Sequence, residues 1–329
     1  MAVLFAGGEW ESFTPSSGTP DWTTASATYD SNFARGAIRM GGSSSPTYAY
    51  ASLPSAVSEC WFHCEFYRTN ATSGSTVWQA STATGQGILR LQMVTSTPAT
   101  LQYWNGTAWT TISVVNLATS ALLQLDIHMR IADTGGVFEV FVNGVQVAVY
   151  TGDTNLFSGS QIKTIALGAT YDGIASAQWS QVIVTDTDDT RAMKLATLGP
   201  NADGALTEWT GGYTDVDEVG IYNDGDYISS GTPNRVELFG MSDLSTTAAT
   251  LDVIAFVMAG RGRKGAAGPQ NIQAAVRTSG VDYFSGNLPG LNPVFSPLAQ
   301  TIWPNNPSTS LPWSTSDING IQAGFKSIS

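Results

Sequence analysis

The side chains best suited to acid-base or nucleophilic chemistry are few in this chain, which has two histidines, His63 and His128. Nucleophilic catalysis needs a serine, cysteine or threonine beside a base. Strand alternation places His128 on the same face as Asp126 and Arg130, which is typical of a histidine on a strand surface. Neither a Gly-x-Ser-x-Gly motif nor a phosphate-binding loop occurs. The chain is therefore predicted not to be an enzyme.

Carboxylate pairs are the second kind of chemistry to consider, because glycoside hydrolysis needs two carboxylates about 5–10 Å apart across one sugar bond. Glu139 stands alone in its segment of sequence. Glu59 and Glu65 are six residues apart, which is about 20 Å on a strand. The spacing predicts that both are solvent-facing strand residues and that no glycosidase pair forms.

The cysteines lie in the segment Glu-Cys-Trp-Phe-His-Cys-Glu-Phe. On a strand, Cys60 and Cys64 share a face about 13 Å apart, beyond the roughly 7 Å Cα separation that a disulfide allows. They are predicted to be buried small apolar residues beside Phe62 and Phe66. The alternative is a metal site that includes His63, but alternation directs His63 away from both thiols.

Four tryptophans lie in or beside predicted turns, where an aromatic ring can stack on a sugar ring. They are candidate glycan-binding residues, and the alternative is that they belong to a core edge or a subunit interface. The four are Trp104, Trp109, Trp303 and Trp313.

A basic run, Gly-Arg-Gly-Arg-Lys-Gly, is unusual in this acidic chain. Arg261, Arg263 and Lys264 are candidate docking residues for an acidic neighbouring subunit, because arginine is favoured at interfaces. The alternative is a solvated hairpin tip between two strands.

Composition limits the classes of partner. The 329 residues carry a net charge of −12, with 12% charged residues. An acidic protein is repelled by phosphate backbones, so we expect neither nucleic acid nor anionic membrane as a partner. No run of 18 apolar residues predicts membrane insertion, and no secretory signal is recognised. We expect folding in a cytoplasm, with few surface charges because the surface meets other subunits.

Short alternating segments bounded by turn residues predict an all-β, antiparallel protein. Asn105-Gly106 and Asn143-Gly144 predict hairpin turns, since they tolerate positive φ. The predicted strands are 37–40, 47–51, 59–68, 77–80, 88–94, 101–104, 122–131, 138–142, 145–150, 162–167, 177–185, 235–239, 250–259, 271–278, 281–284 and 325–328.

A stretch rich in proline, glycine and asparagine near Gly199 predicts a domain boundary. The first domain is predicted to span 1–198 and the second, a smaller β-sandwich-like assembly domain, 199–329. Residues 286–313 hold six prolines and are predicted to form an extended arm or long loops. Ser316 is the predicted cap of one helical turn at 317–321.

Residues 121–184 resemble the concanavalin A-like, laminin-G type sandwich. The resemblance lies in the order of segments 125–131, 136–145, 165–168 and 177–184, with Asn143-Gly144 at the hairpin. It covers about residues 1–198 and implies a jelly-roll sandwich. Fold does not imply activity, because members include enzymes, lectins and inert spacers.

Some members of that family hold calcium through loop carboxylates. The candidates here are Asp172, Asp186 and Asp188. Calcium takes about six to eight oxygen ligands, so the preferred interpretation is that these residues cap turns. No cofactor is predicted.

A second resemblance, to minor structural proteins of tailed bacteriophages, concerns the setting. Its segments are 5–9, 179–195, 208–210, 216–219, 227–230 and 311–325. It implies a tail-fibre, tail-associated or capsid-surface protein, localised to the virion after assembly in the host cytoplasm.

The leading hypothesis is a structural virion component that acts through assembly with other virion proteins as a homo-oligomer. The second hypothesis is a glycan-binding adhesin on the same particle that recognises host surface polysaccharide. The third is a glycan-cleaving enzyme, for which no site is predicted.

Overall fold

A computed structural model describes residues 2–7, 13–15, 38–40, 48–70, 74–94, 98–168, 176–219, 223–289 and 291–329. These residues form two compact units, one ending at Leu195 and the other running from Ala196 to Ser329. Sheets in both units are antiparallel, and the described part of the chain is almost entirely strand and loop. The prediction of an all-β antiparallel fold is confirmed, and the jelly-roll connectivity stays a prediction.

The first unit contains two seven-stranded sheets. The first sheet consists of β1 (Val3–Gly7), β3 (Ile38–Met40), β5 (Glu59–Asn70), β10 (Leu122–Arg130), β11 (Gly136–Val142), β12 (Val145–Gly152) and β14 (Ser176–Thr185). The second sheet consists of β2 (Thr14–Pro15), β4 (Tyr48–Val57), β6 (Thr76–Ser81), β7 (Gly87–Met93), β8 (Pro98–Trp104), β9 (Trp109–Asn116) and β13 (Ile162–Gly168). Their apolar faces pack together as a sandwich, because alternation gives each strand one apolar face.

The core of the sandwich is formed by side chains of both sheets. Phe62 and Phe66 of β5 pack in it with Trp78 of β6, which is fully buried. Cys60 and Cys64 are free thiols buried on that inner face, as predicted. Burial raises the pKa of both thiols, which keeps them protonated and unreactive.

Both predicted Asn-Gly hairpins are confirmed, with different loop lengths. Asn143 and Gly144 form a two-residue turn with φ of 51° and 77°, as a type I′ turn requires. The other hairpin pairs Trp104 with Trp109 and leaves a four-residue loop at 105–108. In that loop the Asn105 side chain accepts hydrogen bonds from the backbone N–H groups of Thr107 and Ala108.

The second unit is built on one five-stranded sheet: β15 (Pro200–Thr207), β16 (Val236–Met241), β19 (Asn271–Thr278), β20 (Val281–Leu288) and β23 (Gln322–Ile328). Two strand pairs accompany it: β17 (Phe256–Met258) with β22 (Thr301–Trp303), and β18 (Arg261–Gly262) with β21 (Ser296–Pro297). Three-residue 3₁₀ helices lie at Tyr213–Asp215 and Ala248–Thr250, and α1 spans Thr315–Asn319.

Three local expectations for this unit are corrected. The predicted strand 250–259 is strand only at β17, since Thr250 ends a 3₁₀ helix and residues 251–255 form no regular element. The helical turn starts earlier than predicted, and its cap is Ser314, whose hydroxyl accepts from the backbone N–H of Asp317. Segment 286–313, predicted as an arm or loops, includes the end of β20 together with β21 and β22.

No helix in the described ranges is long and apolar enough to span a membrane.

Candidate functional site

The outer face of the second sheet carries a continuous row of side chains across six strands. Strand register sets the row, because directly paired residues point to the same side of a sheet. From β4 to β9 the row runs through Tyr50, Ala166, Gln79, Arg90, Gln102 and Thr111. Five strand spacings of about 4.8 Å give it the length of an oligosaccharide rather than of one sugar ring.

Trp104 and Trp109 lie at one end of this row, directly opposite each other in the β8–β9 hairpin. Their ring centroids are 5.7 Å apart in an edge-to-face arrangement, and both side chains are half-buried. From the sequence, the two residues are predicted only to lie in or beside a turn. The strand register shows that they lie beside Gln102 on the outer face of the sheet.

The Trp109 ring lies over Gly87 of β7. A Cβ atom on Gly87 would be 2.6 Å from the ring, closer than real contacts allow. The glycine therefore leaves the space that the indole occupies. Arg90, also on β7, stacks its guanidinium on the same indole, 4.2 Å from the ring centroid, which is a cation–π contact.

Arg90 is held in place by two neutral amides. Its Nε donates to Gln102 Oε1 at 2.8 Å, and its Nη2 donates to Gln92 Oε1 at 3.1 Å. Gln102 in turn donates to the hydroxyl of Thr111 at 3.3 Å. Burial lowers the pKa of Arg90, although an arginine side chain stays protonated in a protein.

We call this surface the Trp109 face and define it by six residues: Gln79, Arg90, Gln92, Gln102, Trp104 and Trp109. It combines indole rings with amide donors and acceptors and one guanidinium. Aromatic rings of this kind pack against sugar C–H groups, and the polar groups bond sugar hydroxyls. The arrangement can therefore bind a glycan.

Trp303 and Trp313, the other two tryptophans predicted to bind glycan, lie in the second unit and pack in a hydrophobic cluster. Trp313 is 4% exposed, and its indole N–H donates to the backbone carbonyl of Trp303 at 2.8 Å. The fold buries Trp313 beside Phe256, so its ring is not open to a ligand, whereas glycan binding by Trp303 stays a prediction.

The basic run is only partly available for docking. Arg261 forms a bidentate ion pair with Asp224, with an Nη2–Oδ2 distance of 2.8 Å. Arg261 also belongs to a short strand rather than to a hairpin tip, which corrects the expected position. Arg263 is exposed and lies over the rings of Tyr227 and Phe295. Docking by Arg263 and Lys264 stays a prediction.

Of the three calcium candidates, the structure describes Asp186 and Asp188. Asp172 lies outside the described residues. Burial acts to raise the pKa of Asp186, but hydrogen bonds from the backbone N–H groups of Ala2 and Thr187 outweigh it and lower the pKa. Asp186 is thus engaged by the backbone, while Asp188 is half-buried. No group of three or more metal-ligating side chains occurs within the ranges that the structure covers.

The first sheet carries a different polar cluster on its outer face. His128 lies between two carboxylates, 2.7 Å from Glu139 Oε2 and 3.0 Å from Glu59 Oε1. The Trp61 ring stacks on the imidazole at 4.4 Å. Three adjacent strands thus bring Glu59 and Glu139 to the two sides of one imidazole, an arrangement that consideration of single strands did not predict. Because a carboxylate faces each ring nitrogen of His128, neither is left to activate a nucleophile.

A buried layer continues from this cluster along the same face. Asp126 Oδ1 contacts His63 Nδ1 at 2.8 Å and accepts from the Thr190 hydroxyl at 3.0 Å, with all three residues fully buried. Glu65 is also buried and pairs with Lys194 at 3.3 Å. The expectation that Glu65 faces solvent is wrong, because the segment after β14 covers this face.

Arg90 and the glutamines of the Trp109 face are not predicted as site residues from the sequence. A usable signal was present, since Arg90 and Gln92 alternate with buried leucines in β7 and Gln102 follows Leu101 in β8. Alternation alone predicts that they share an outer face. Their proximity to Trp109 depends on strand order, which the alternation does not contain.

Neither a family model nor a curated protein matches this sequence. Among solved structures, the chain is similar to a conserved carbohydrate esterase from the Shiga toxin-encoding bacteriophage phi24B, with 9% identity and a TM-score of 0.42. That match covers 57% of this chain and 99% of the esterase.

Two further similarities concern a toxin domain and a sialidase. The binding domain of botulinum neurotoxin DC in complex with SialylT has 7% identity and a TM-score of 0.38, with 88% of this chain and 73% of that chain covered. The sialidase has 11% identity and a TM-score of 0.36; the match covers 48% of this chain and 16% of the sialidase. These neighbours include enzymes and a binding domain, and similarity at this level supports no inference about ligand or activity.

Proposed function

We propose that this protein binds glycans and that the ligand lies along the Trp109 face. The observation that carries the proposal is the position of Trp109, half-exposed on an outer sheet face over a glycine and backed by a guanidinium. Trp104 beside it widens the aromatic surface. The amides of Gln79, Gln92 and Gln102 supply hydrogen-bonding groups along the direction of the row.

We further propose that the setting is the virion of a tailed bacteriophage, on which the protein acts as an adhesin for host surface polysaccharide. The support is the sequence resemblance in segments 179–195 and 311–325. The Trp109 face gives such an adhesin an extended surface, which suits a polymer chain better than a single sugar.

The first test is direct binding. A glycan array probed with the full chain should show binding to a set of saccharides, and calorimetry should then give a Kd for the best of them. Trp109→Ala should weaken that Kd by about tenfold or more, because truncating an aromatic anchor typically costs about 2 kcal/mol.

The matched control is Trp209→Ala. Trp209 is also half-buried, but it lies in the second unit, where its indole N–H donates to the backbone carbonyl of Arg235. This variant should keep the wild-type Kd. Absence of binding across the array, or equal losses in the two variants, would contradict the proposed site.

A second candidate function is structural assembly, in which copies of this chain associate within a virion. The observation that favours it is β12, the last strand in the order of the first sheet. This edge strand exposes Val145, Val147 and Val149 by 64%, 38% and 48%. Exposed apolar edge strands are surfaces on which another chain can pair. Sedimentation velocity of the purified chain tests this candidate.

A further inference from the structure

The second sheet differs in charge from the rest of the molecule. Its seven strands carry two charged side chains, Arg90 and Lys163, and both are cationic. The whole chain has 26 acidic and 14 basic residues, with a net charge of −12. An excess of positive charge on one sheet of such a protein indicates a local preference for anions.

The two cations of this sheet differ in their hydrogen-bond partners. Lys163 Nζ donates to the backbone carbonyls of Leu53 and Pro54, so its charge is engaged by the chain itself. Arg90 has five N–H groups, and within the described residues two of them donate, both to neutral amide oxygens. Its third contact is the indole of Trp109.

The surrounding sequence explains why Arg90 has no acidic partner from its own strands. Between Arg68 and Asp126, Arg90 is the only charged residue, and β6 to β9 all lie in that interval. The remaining strands of the sheet, β2, β4 and β13, hold no aspartate or glutamate. Within the described ranges, none of the strands of this sheet offers Arg90 a carboxylate, and a bound ligand can supply one.

The chemistry of the guanidinium narrows the class of anion. Arginine presents a planar fork of donors that matches the oxygens of a carboxylate or a phosphate in a bidentate pair, and of these two groups the carboxylate is the one that uronate and sialate sugars carry. Arg90 is partly buried, and this burial lowers its pKa. The electrostatic attraction to an incoming anion is stronger for a half-buried cation with neutral partners than for an exposed cation, because water screens the exposed charge more.

We infer that the ligand of the Trp109 face is an acidic glycan in which a sugar carboxylate pairs with the guanidinium of Arg90. This inference rests on the proposed glycan-binding function and adds the class of ligand. The Trp109 and Trp104 rings contact the sugar ring, and Gln92 and Gln102 hold the guanidinium fork in orientation.

The experiment compares saccharides that differ only in the carboxylate. Calorimetry with the full chain measures Kd for polygalacturonate and for its fully methyl-esterified form, and a second arm compares sialyllactose with its carboxyl methyl ester. We expect the acidic member of at least one pair to bind about tenfold more tightly, which corresponds to about 1.4 kcal/mol. The arm that shows the preference identifies the carboxylate source as a uronate or a sialate.

Substitutions of Arg90 and Lys163 test whether Arg90 is the residue that binds the carboxylate. Arg90→Gln should bring the acid-to-neutral affinity ratio close to one. Arg90→Lys keeps the charge without the fork, and it should give an intermediate ratio. Lys163→Gln removes one positive charge from the same sheet and should leave the ratio unchanged. Circular dichroism verifies that each variant keeps its strand content.

The outcomes separate this inference from the proposed function. Equal affinity of the wild type for acidic and neutral partners, or an unchanged ratio in Arg90→Gln, overturns the acidic-glycan inference but leaves glycan binding intact. Tighter binding of dextran sulfate than of either carboxylate ligand also overturns it. Failure to bind any saccharide overturns both.

Discussion

Gly87 shows how one residue without a side chain sets up the Trp109 face. It lies in β7, where any other residue would place a Cβ 2.6 Å from the Trp109 ring and 3.3 Å from the Gln79 amide nitrogen. The glycine weakens the strand slightly. Its missing side chain lets the Trp109 indole pack against the sheet, where the Arg90 guanidinium contacts the ring. Orientation of the aromatic ring thus depends on a residue that carries no functional group.

Gly87→Ala should therefore weaken glycan binding without removing any binding group. We expect Trp109 to shift away from the sheet, since the indole moves more easily than the backbone, and the Kd to rise several-fold. Gly286→Ala is the matched control, because a Cβ there meets nothing within 4 Å. Calorimetry gives the Kd of both variants. Wild-type affinity in Gly87→Ala would show that the position of the indole does not matter.

The segment that follows β14 covers the outer side of the first sheet. Asp126 is the centre of this contact, since it accepts from the Thr190 hydroxyl and from Gln124 Nε2 and contacts His63. Arg191, in the same segment, places its guanidinium 4.4 Å from the centre of the Phe141 ring. The buried layer therefore joins a loop segment to two strands through charge and hydrogen bonds rather than through apolar packing.

Asp126→Ala should lower the free energy of unfolding by about 3–5 kcal/mol, because it leaves buried polar partners without their carboxylate. Chemical denaturation followed by tryptophan fluorescence measures the change. Thr190→Val removes one hydrogen bond of the same layer and should lower the free energy by about 1 kcal/mol. A loss below 1 kcal/mol in Asp126→Ala would mean that this layer contributes little to stability.

The whole molecule consists of two units, each with its own hydrophobic core. One large core lies between the two sheets of the first unit, and three smaller clusters lie in the second unit. The residues of the Trp109 face lie on the second sheet, whereas the exposed valines lie on the edge strand β12 of the first sheet. The proposed binding face and the proposed assembly edge therefore lie on different strands of one unit.

Val147→Lys tests self-association without touching the Trp109 face. If the chain assembles through β12, sedimentation velocity should show an oligomer for the wild type and a shift towards monomer for Val147→Lys, because a lysine blocks edge pairing. Val294→Lys places a lysine at a valine that is 69% exposed outside any strand, and it should leave the distribution unchanged. A monomeric wild type at all concentrations would refute assembly by this chain alone.

Local patterns in the sequence are enough to predict the class of fold and most strand positions, because alternation and turn residues involve only neighbouring residues. The strand through Cys60 and Cys64, their burial beside Phe62, and the Asn143-Gly144 turn all follow from a few adjacent residues. The same locality explains why Trp104 and Trp109 were predicted together beside one hairpin.

Contacts between residues that are distant in the sequence follow from the order in which the strands pair. Trp109 contacts Gly87 and Arg90 because β7 and β9 both neighbour β8, and His128 lies between Glu59 and Glu139 because β10 pairs with β5 and β11. Burial of Trp313 likewise depends on how the strands and α1 of the second unit pack. Strand order and register arise from the summed packing of the whole sheet, so a local pattern does not contain them.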